Sequence, residues 1–395
     1  MIAAAAHRYV KVAKRLLIPG PVMCAPRVLE AMAAPLVDHR GPEFAAVLER
    51  IARGLRPIFG TNGDVVVLGS SGTGGLEAAV ANSFAPGQKV LACPVGVFGR
   101  RLATIAAVYG LEVEIIETPL GAGLDSAALA QRLRNDDAHA FAGILLTHNE
   151  TSTGVQNDMA ALAAAVGDHP ATVVVDSVSG LGASMFAMDD WRFDVVVSAS
   201  QKALAAPPGL AMLALSARAW ERMADGAARF YFDLRKAREQ AASGQTPWTP
   251  PVSIAFALDA ALTRYHEDGA QQAYARHDRY ARAIRAFAGS ANLELLSQPG
   301  AHSVTVVALR APAGVDVAAV RAELRERHDV VIGGGQAGLK GKIFRIGTMG
   351  AVSPDDIATA LKAFAAVLHA NGHAVDTASA TAAARRILTE ASATA

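Results

Sequence analysis

The sequence predicts an α/β fold: a large domain with a mainly parallel seven-stranded sheet flanked by helices, then a smaller C-terminal α+β domain. Three observations carry this expectation. Short β-branched runs alternate with Ala/Leu-rich helical patterns along most of the chain. From about Asn292 the rhythm changes to short strands separated by one helical run and followed by another. Between the two regimes, Gln245-Thr246-Pro247-Trp248-Thr249-Pro250-Pro251-Val252 places three prolines in eight residues, which forbids helix and predicts a rigid surface loop. At 395 residues the chain can build two or three core-bearing regions. The expected organisation is an N-terminal arm over residues 1–20, a large domain over 21–290, a small domain over 291–376 and an Ala/Thr-rich tail over 377–395, read as a frayed helix or tail.

The strands are expected in order at 65–68, 90–92, 113–116, 143–147, 172–176, 194–198 and 210–215. The first runs into Gly69-Ser70-Ser71-Gly72-Thr73-Gly74-Gly75-Leu76-Glu77, a Gly/Ser/Thr turn opening a helix, whose backbone N–H groups can meet an anion. It is neither a Walker loop nor a clean Gly-x-Gly-x-x-Gly, and a purely structural turn is the alternative reading. The fifth, Thr172-Val173-Val174-Val175-Asp176, reads as a buried parallel strand delivering a carboxylate at its C-terminal edge. Taken alone, Asp176 would be a turn or cap residue. The sixth leads into Ser200-Gln201-Lys202, a lysine among small neutral residues. Loss of solvation there would lower its pKa and free its amine as a nucleophile or base. In the C-terminal unit, strands are expected at 293–296, 303–309, 330–332 and 342–346, and helices at 317–327 and 354–370.

Ligands of open α/β sheets gather at the carboxyl edge of the strands, where Asp176 and Lys202 are expected together. A pyridine electron-sink cofactor needs such a pair: an amine to bind its aldehyde and an acid to keep its ring nitrogen protonated. With an anion turn nearby, the set points to pyridoxal 5'-phosphate.

Composition sets the outer limits. Hydrophobic residues make up 52% and the formal net charge is +1, with no basic cluster, which argues against a nucleic-acid partner. No apolar stretch reaches the ~18 residues of a membrane span, so a cytoplasmic protein is expected. Two cysteines, Cys24 and Cys93, and eleven scattered histidines show no metal-ligand spacing.

With Ser71-Gly72-Thr73, Asp176 and Gln201-Lys202 in this order, the chain resembles the fold-type I, class V pyridoxal-phosphate aminotransferases, most of all the serine–glyoxylate and alanine–glyoxylate group. Further strings support the likeness: Ile18-Pro19-Gly20-Pro21, Asp38-His39-Arg40-Gly41-Pro42-Glu43-Phe44, Thr147-His148-Asn149-Glu150-Thr151-Ser152-Thr153-Gly154, Thr249-Pro250-Pro251-Val252 and Gly341-Lys342-Ile343-Phe344-Arg345-Ile346-Gly347. The resemblance implies the following roles. Lys202 binds the cofactor and then acts as general base, and Asp176 pairs with the pyridine nitrogen. Ser71, Gly72, Thr73 and Gln201 cup the phosphate, while Phe98 and Val178 cover the two ring faces. Thr151 stands near the phenolic oxygen, and Arg345 grips the substrate α-carboxylate. Thr249 reaches the phosphate of the neighbouring subunit, which implies a homodimer with active sites at the interface. Ping-pong transfer from a small amino acid to glyoxylate or a similar 2-oxo acid follows.

Three positions depart from that group's usual pattern: Val22-Met23 after Pro21, Thr246 before the Pro-x-Thr-Pro string, and Thr348-Met349 after Gly347. All are expected near the substrate mouth, which leaves the donor open. Alternatives are a pyridoxamine–pyruvate or aminoethylphosphonate transaminase of the same class, or a non-catalytic cofactor-binding regulator. A cysteine desulfurase would need a cysteine after Asn292, where there is none.

Overall fold

The computed structural model describes residues 14–225 and 228–390. Strand β1 (Arg15–Leu17) and helices α1 (Pro26–Met32) and α2 (Pro42–Phe59) precede the large sheet. That sheet holds β2 (Asp64–Gly69), β3 (Lys89–Ala92), β4 (Glu112–Ile115) and β5 (Phe141–Thr147). After the short hairpin of β6 (Asn149–Glu150) and β7 (Val155–Gln156) it is completed by β8 (Thr172–Asp176), β9 (Val195–Ala199) and β10 (Leu210–Leu215). Helices α3 (Gly72–Ser83), α4 (Val97–Val108), α5 (Ser126–Arg134) and α6 (Met159–Val166) make the crossovers. Helices α7 (Ala217–Glu221), α8 (Leu234–Ala242), α9 (Val252–Asp268) and α10 (Ala270–Ser290) lead to the second sheet.

The strand order is β2-β10-β9-β8-β5-β3-β4, and β10 alone runs against its neighbours. The carboxyl ends of β2, β3, β4, β5, β8 and β9 therefore share one edge, so six loops meet there. Burial on both faces explains the unbroken β-branched runs. Val173 and Val175 enter one core cluster while Val174 enters the cluster across the sheet; Val196 and its neighbours Val195 and Val197 divide the same way. All seven expected strands are present, with ends shifted by a residue or two.

The second sheet, β1-β12-β13-β11, combines β11 (Val306–Arg310), β12 (Val330–Gly334) and β13 (Ile343–Gly347) with the N-terminal β1. Helices α11 (Val317–Arg327), α12 (Pro354–Ala370) and α13 (Thr377–Leu388) complete the unit. Four expectations are corrected here. Residues 1–13 of the expected arm lie outside the described residues, but Arg15–Leu17 pairs in parallel with β12 and buries Leu17 in the C-terminal core. Residues 293–296 make one bridge, Leu295 to Leu309, because the Leu293 N–H closes the end of α10 on Ala288. The strand expected from 303 begins at Val306, since the Ser303 hydroxyl takes the N–H groups of Thr305 and Val306 and competes with the ladder. The tail is no frayed end as far as Leu388. Asp376 caps α13, and Ala380, Ala384 and Leu388 at i, i+4 and i+8 bury one face against the C-terminal core.

Candidate active site

At the shared edge lies a cavity of about 110 Å³. Ser71, Gly72, Thr73, Phe98, Thr151, Asp176, Val178, Gln201 and Lys202 all line it, so the chain brings together nine of the eleven residues singled out from sequence.

The turn after β2 forms one wall. Ser71 is the N-cap of α3 but makes no side-chain cap, so the first N–H groups of the helix face the cavity without a side-chain acceptor. The glycines are demanded by packing. A Cβ on Gly72 would sit 2.8 Å from Val178 Cγ2, and one on Gly75 would sit 2.8 Å from Val197 Cγ1 and 2.9 Å from Ala211 Cβ. Absence of side chains there lets α3 lie directly on the sheet.

Register fixes the next wall. Asp176 is paired with Thr147 on β5 and with Val197 on β9. One carboxylate oxygen, Oδ1, accepts from Val178 N at 3.0 Å. Burial pushes its carboxyl up to about 6, against the pull of the Val178 N–H and of Lys202, with the charge of Glu150 adding to the rise. Lys202, half-buried on the loop after β9, donates from Nζ to Pro19 O at 2.5 Å. Burial brings its amine down to about 8, opposed by Asp176 and helped by Arg345 and Arg101. Gly20 is held at φ +115° with its missing Cβ only 2.9 Å from Lys202 Nζ, so the lysine needs a glycine there.

Glu150 organises the remaining side. This fully buried carboxylate accepts from Phe98 N at 2.9 Å, Gly99 N at 3.0 Å and Ser152 N at 3.0 Å, capping α4 and fixing where Phe98 stands. His148 is held neutral by burial, which lowers its imidazole to about 4. Its ring meets the Ser177 hydroxyl at 2.8 Å and that of Ser184 at 3.2 Å, bracing the turn after Asp176. Asn149, also on the wall, bonds Ser179, Ser303 and Thr305, tying the site loop to the segment before β11.

Two of the eleven residues stand off the wall. Arg345 is buried on β13 and bonded through Nε to Gly334 O at 2.7 Å and through Nη1 to Thr151 O at 2.9 Å. Among the described residues no carboxylate pairs with it. Thr249 is exposed on the proline loop and does not reach the cavity of its own chain. The departures at Val22 and Met349 are buried in one small apolar cluster with Ala203 and Ala205, which flank the Lys202 loop.

Sequence reasoning missed Arg101, Glu150, His148 and Asn149. The three last lie within a quoted string but carried no assigned role, and Arg101 sits in a charged helical run that resembles a solvated face. The residues present suit pyridoxal phosphate: an open helix N-terminus for a phosphate, a Gln201 side chain on the wall whose amide N–H can donate to it, and an amine and an acid on neighbouring loops.

The aminotransferase class-V family model matches residues 29–353. The chain is 38% identical over 379 residues to the small subunit of a soluble hydrogenase from a Synechococcus strain, covering 95% of this chain and 98% of that one. It is 36% identical over 343 residues to the L-aspartate–glyoxylate aminotransferase of Paracoccus denitrificans (86% and 87% covered). With the serine–glyoxylate aminotransferase of Methylorubrum extorquens it shares 33% over 385 residues (95% and 96%). Among solved structures, the pyridoxamine–pyruvate aminotransferase of Mesorhizobium loti superposes with a TM-score of 0.91 at 30% identity, over 96% of this chain and 98% of that one.

Proposed function

The chain belongs to the aminotransferase class-V family, and from that premise we propose that it transfers the amino group of serine, alanine or aspartate to glyoxylate or a similar 2-oxo acid. It is a pyridoxal-phosphate-dependent aminotransferase. The observation that carries the amino-transfer reading is the meeting of Lys202, Asp176 and an open helix N-terminus on one cavity wall, with Arg345 bonded to the wall residue Thr151. The choice of donor and of glyoxylate as acceptor rests on the similarity to the glyoxylate aminotransferases.

When bound, pyridoxal phosphate supplies an aldehyde for amino-group exchange and a ring that accepts the electrons of a broken Cα–H bond. The chain's residues do the rest. Ser71, Gly72, Thr73 and Gln201 hold the phosphate, and Phe98 and Val178 confine the ring between them. Asp176 holds the proton on the ring nitrogen, and Thr151 supports the phenolic oxygen. Arg345 presents a guanidinium fork to the substrate α-carboxylate and so orients Cα. Lys202 Nζ, brought down to about 8, would take the proton from the substrate Cα as general base and give it up again as general acid.

We read the active enzyme as a cytoplasmic homodimer in which Thr249 completes the phosphate site of the neighbouring subunit. Among the described residues no helix is long and apolar enough to cross a membrane. The similarity to a pyridoxamine–pyruvate aminotransferase supports a second reading, with pyridoxamine as donor and pyruvate as acceptor. The hydrogenase name belongs to the relative that carries it; the groups at this site are those of amino transfer.

Absorbance titration separates these readings. Purified enzyme loaded with pyridoxal phosphate should lose its lysine-linked band on addition of one of serine, alanine or aspartate and regain it with glyoxylate. Lys202→Ala should show neither band nor turnover. A response to pyridoxamine and pyruvate alone would establish the second reading. Turnover retained by Lys202→Ala would overturn the role of Lys202.

A further inference from the structure

Arg101, one turn into α4, lines the cavity yet has no part in the reading above. Its Nη1 donates to Thr73 Oγ1 at 3.1 Å, and its guanidinium carbon stands 4.7 Å from the centroid of the Phe98 ring. Thus it touches both a residue of the anion turn and the aromatic side chain beside it. Its neighbour Arg100 points outward and is paired with Glu117. Among the described residues, no carboxylate stands within ion-pair distance of Arg101. A half-buried guanidinium without a carboxylate is costly unless an anion arrives. Of the residues on the cavity wall, only Arg101 and Lys202 carry a full positive charge, and Lys202 is engaged by the aldehyde.

A phosphate monoester near neutral pH carries close to two negative charges. The open end of α3 offers roughly half a charge through its N–H groups, and the hydroxyls of Ser71 and Thr73 offer none. The turn alone therefore leaves the phosphate largely uncompensated in a partly desolvated cavity.

We propose that Arg101 is the cation of the phosphate site, bridging the Thr73 hydroxyl to the cofactor phosphate while its guanidinium plane braces the Phe98 ring. The inference rests on the pyridoxal-phosphate reading of this cavity. The competing assignment, a grip for a second carboxylate on a dicarboxylic donor, is disfavoured by what Arg101 touches. It bonds a residue of the anion turn, whereas the α-carboxylate candidate Arg345 bonds Thr151. Arg101 makes no ion pair with an acid among the described residues, but its charge does help to hold down the buried Asp176 carboxyl. A loss through Asp176 would therefore strike both aldehydes alike, and a loss through the phosphate only one.

The test compares two aldehydes on the cofactor-free enzyme: pyridoxal phosphate and pyridoxal, which lacks the phosphate. Binding is followed by absorbance in the wild type, Arg101→Gln and Arg101→Lys, with inorganic phosphate as competitor. Loss of one charge-assisted contact should weaken pyridoxal phosphate roughly ten- to hundredfold in Arg101→Gln and leave pyridoxal within about twofold. Arg101→Lys should recover most of the loss, and inorganic phosphate should compete less well against Arg101→Gln than against wild type. Equal weakening of both aldehydes would make Arg101 a structural prop and overturn the proposal, as would no weakening of either. Unchanged cofactor affinity with a raised KM for aspartate alone would assign Arg101 to the donor instead. If the wild type itself fails to prefer pyridoxal phosphate over pyridoxal, the cofactor reading fails, and the role of Arg101 with it.

Discussion

Asp176 shows at a single residue how function is set against stability. Its carboxyl ordinarily ionises near 3.8 and is pushed up to about 6, chiefly by burial. Between those values the unfolded chain is ionised and the folded chain still holds the proton, so the folded state binds more protons and its stability falls as pH rises. Above about 6 the full penalty is present, at most ~3 kcal/mol for such a displacement. In the cofactor-free enzyme, Asp176→Asn should therefore raise the unfolding free energy at pH 7, with the gain shrinking as pH falls from 6 to 4. Amino transfer should drop by roughly a hundredfold or more, because a neutral amide cannot hold the ring-nitrogen proton by charge. Urea titrations at several pH values check the first part; an apo-variant less stable than wild type at pH 7 would contradict burial as the leading cause. Asp176 and Lys202 were legible in sequence because each ends a β-branched run, a local signal. Arg101 was not, since Arg100 and Arg101 are adjacent in one helical run and only the packing of α4 decides which turns inward. Glu150 was hidden for the same reason: its partners are backbone groups some fifty residues away.

Elements place those residues, and α3 lies on the sheet with no room for a side chain at Gly72 or Gly75. Replacing Gly75 by Ala has two opposed effects. In a helix interior Ala is favoured over Gly by about 1 kcal/mol. The new Cβ, however, would stand 2.8 Å from Val197 Cγ1 and 2.9 Å from Ala211 Cβ, on strands that cannot give way, and overpacking of this kind costs ~1–3 kcal/mol. Overpacking should win: Gly75→Ala is expected to lower the urea midpoint with an unchanged slope, and to weaken pyridoxal phosphate by tilting the N–H groups of the first turn. A raised midpoint would mean that α3 has room to move. The same reasoning explains which elements the sequence displayed. Strands buried on both faces read as continuous β-branched runs, whereas the small sheet depends on cues that composition hides. Ser303 stops a ladder with its hydroxyl, and β1 pairs with a strand more than 300 residues later. In α13 the signal was present, an Asp cap followed by a stripe at i, i+4 and i+8, but alanine burial is easily taken for low complexity.

At the scale of the whole molecule, a single chain leaves part of its surface unaccounted for. Phe230 is 74% exposed and stacks on Trp248 with centroids 4.7 Å apart, while Tyr231 lies nearly parallel to the same indole at 6.1 Å. The Trp248 indole N–H donates to Tyr231 O, and the Tyr231 hydroxyl donates to Gly69 O, immediately before the glycine-rich turn that opens α3. Thr249 is the next residue along this loop. An exposed aromatic stack joined to the rim of an active site, with Lys236 Nζ over its Trp248 and Phe230 rings, has the aromatic enrichment of an interface. The same surface would carry Thr249 to a neighbouring subunit. The wild type is therefore expected to sediment at twice its chain mass of 40.8 kDa. Phe230→Asp, which places a charge in the stack without touching a buried core, should shift the chain toward monomer at micromolar concentration while retaining its circular dichroism. If Thr249 acts across the interface, the same variant should also lose pyridoxal phosphate faster on dialysis. A monomeric wild type with full activity would remove the dimer from the mechanism, and a dimeric Phe230→Asp would move the interface to another face.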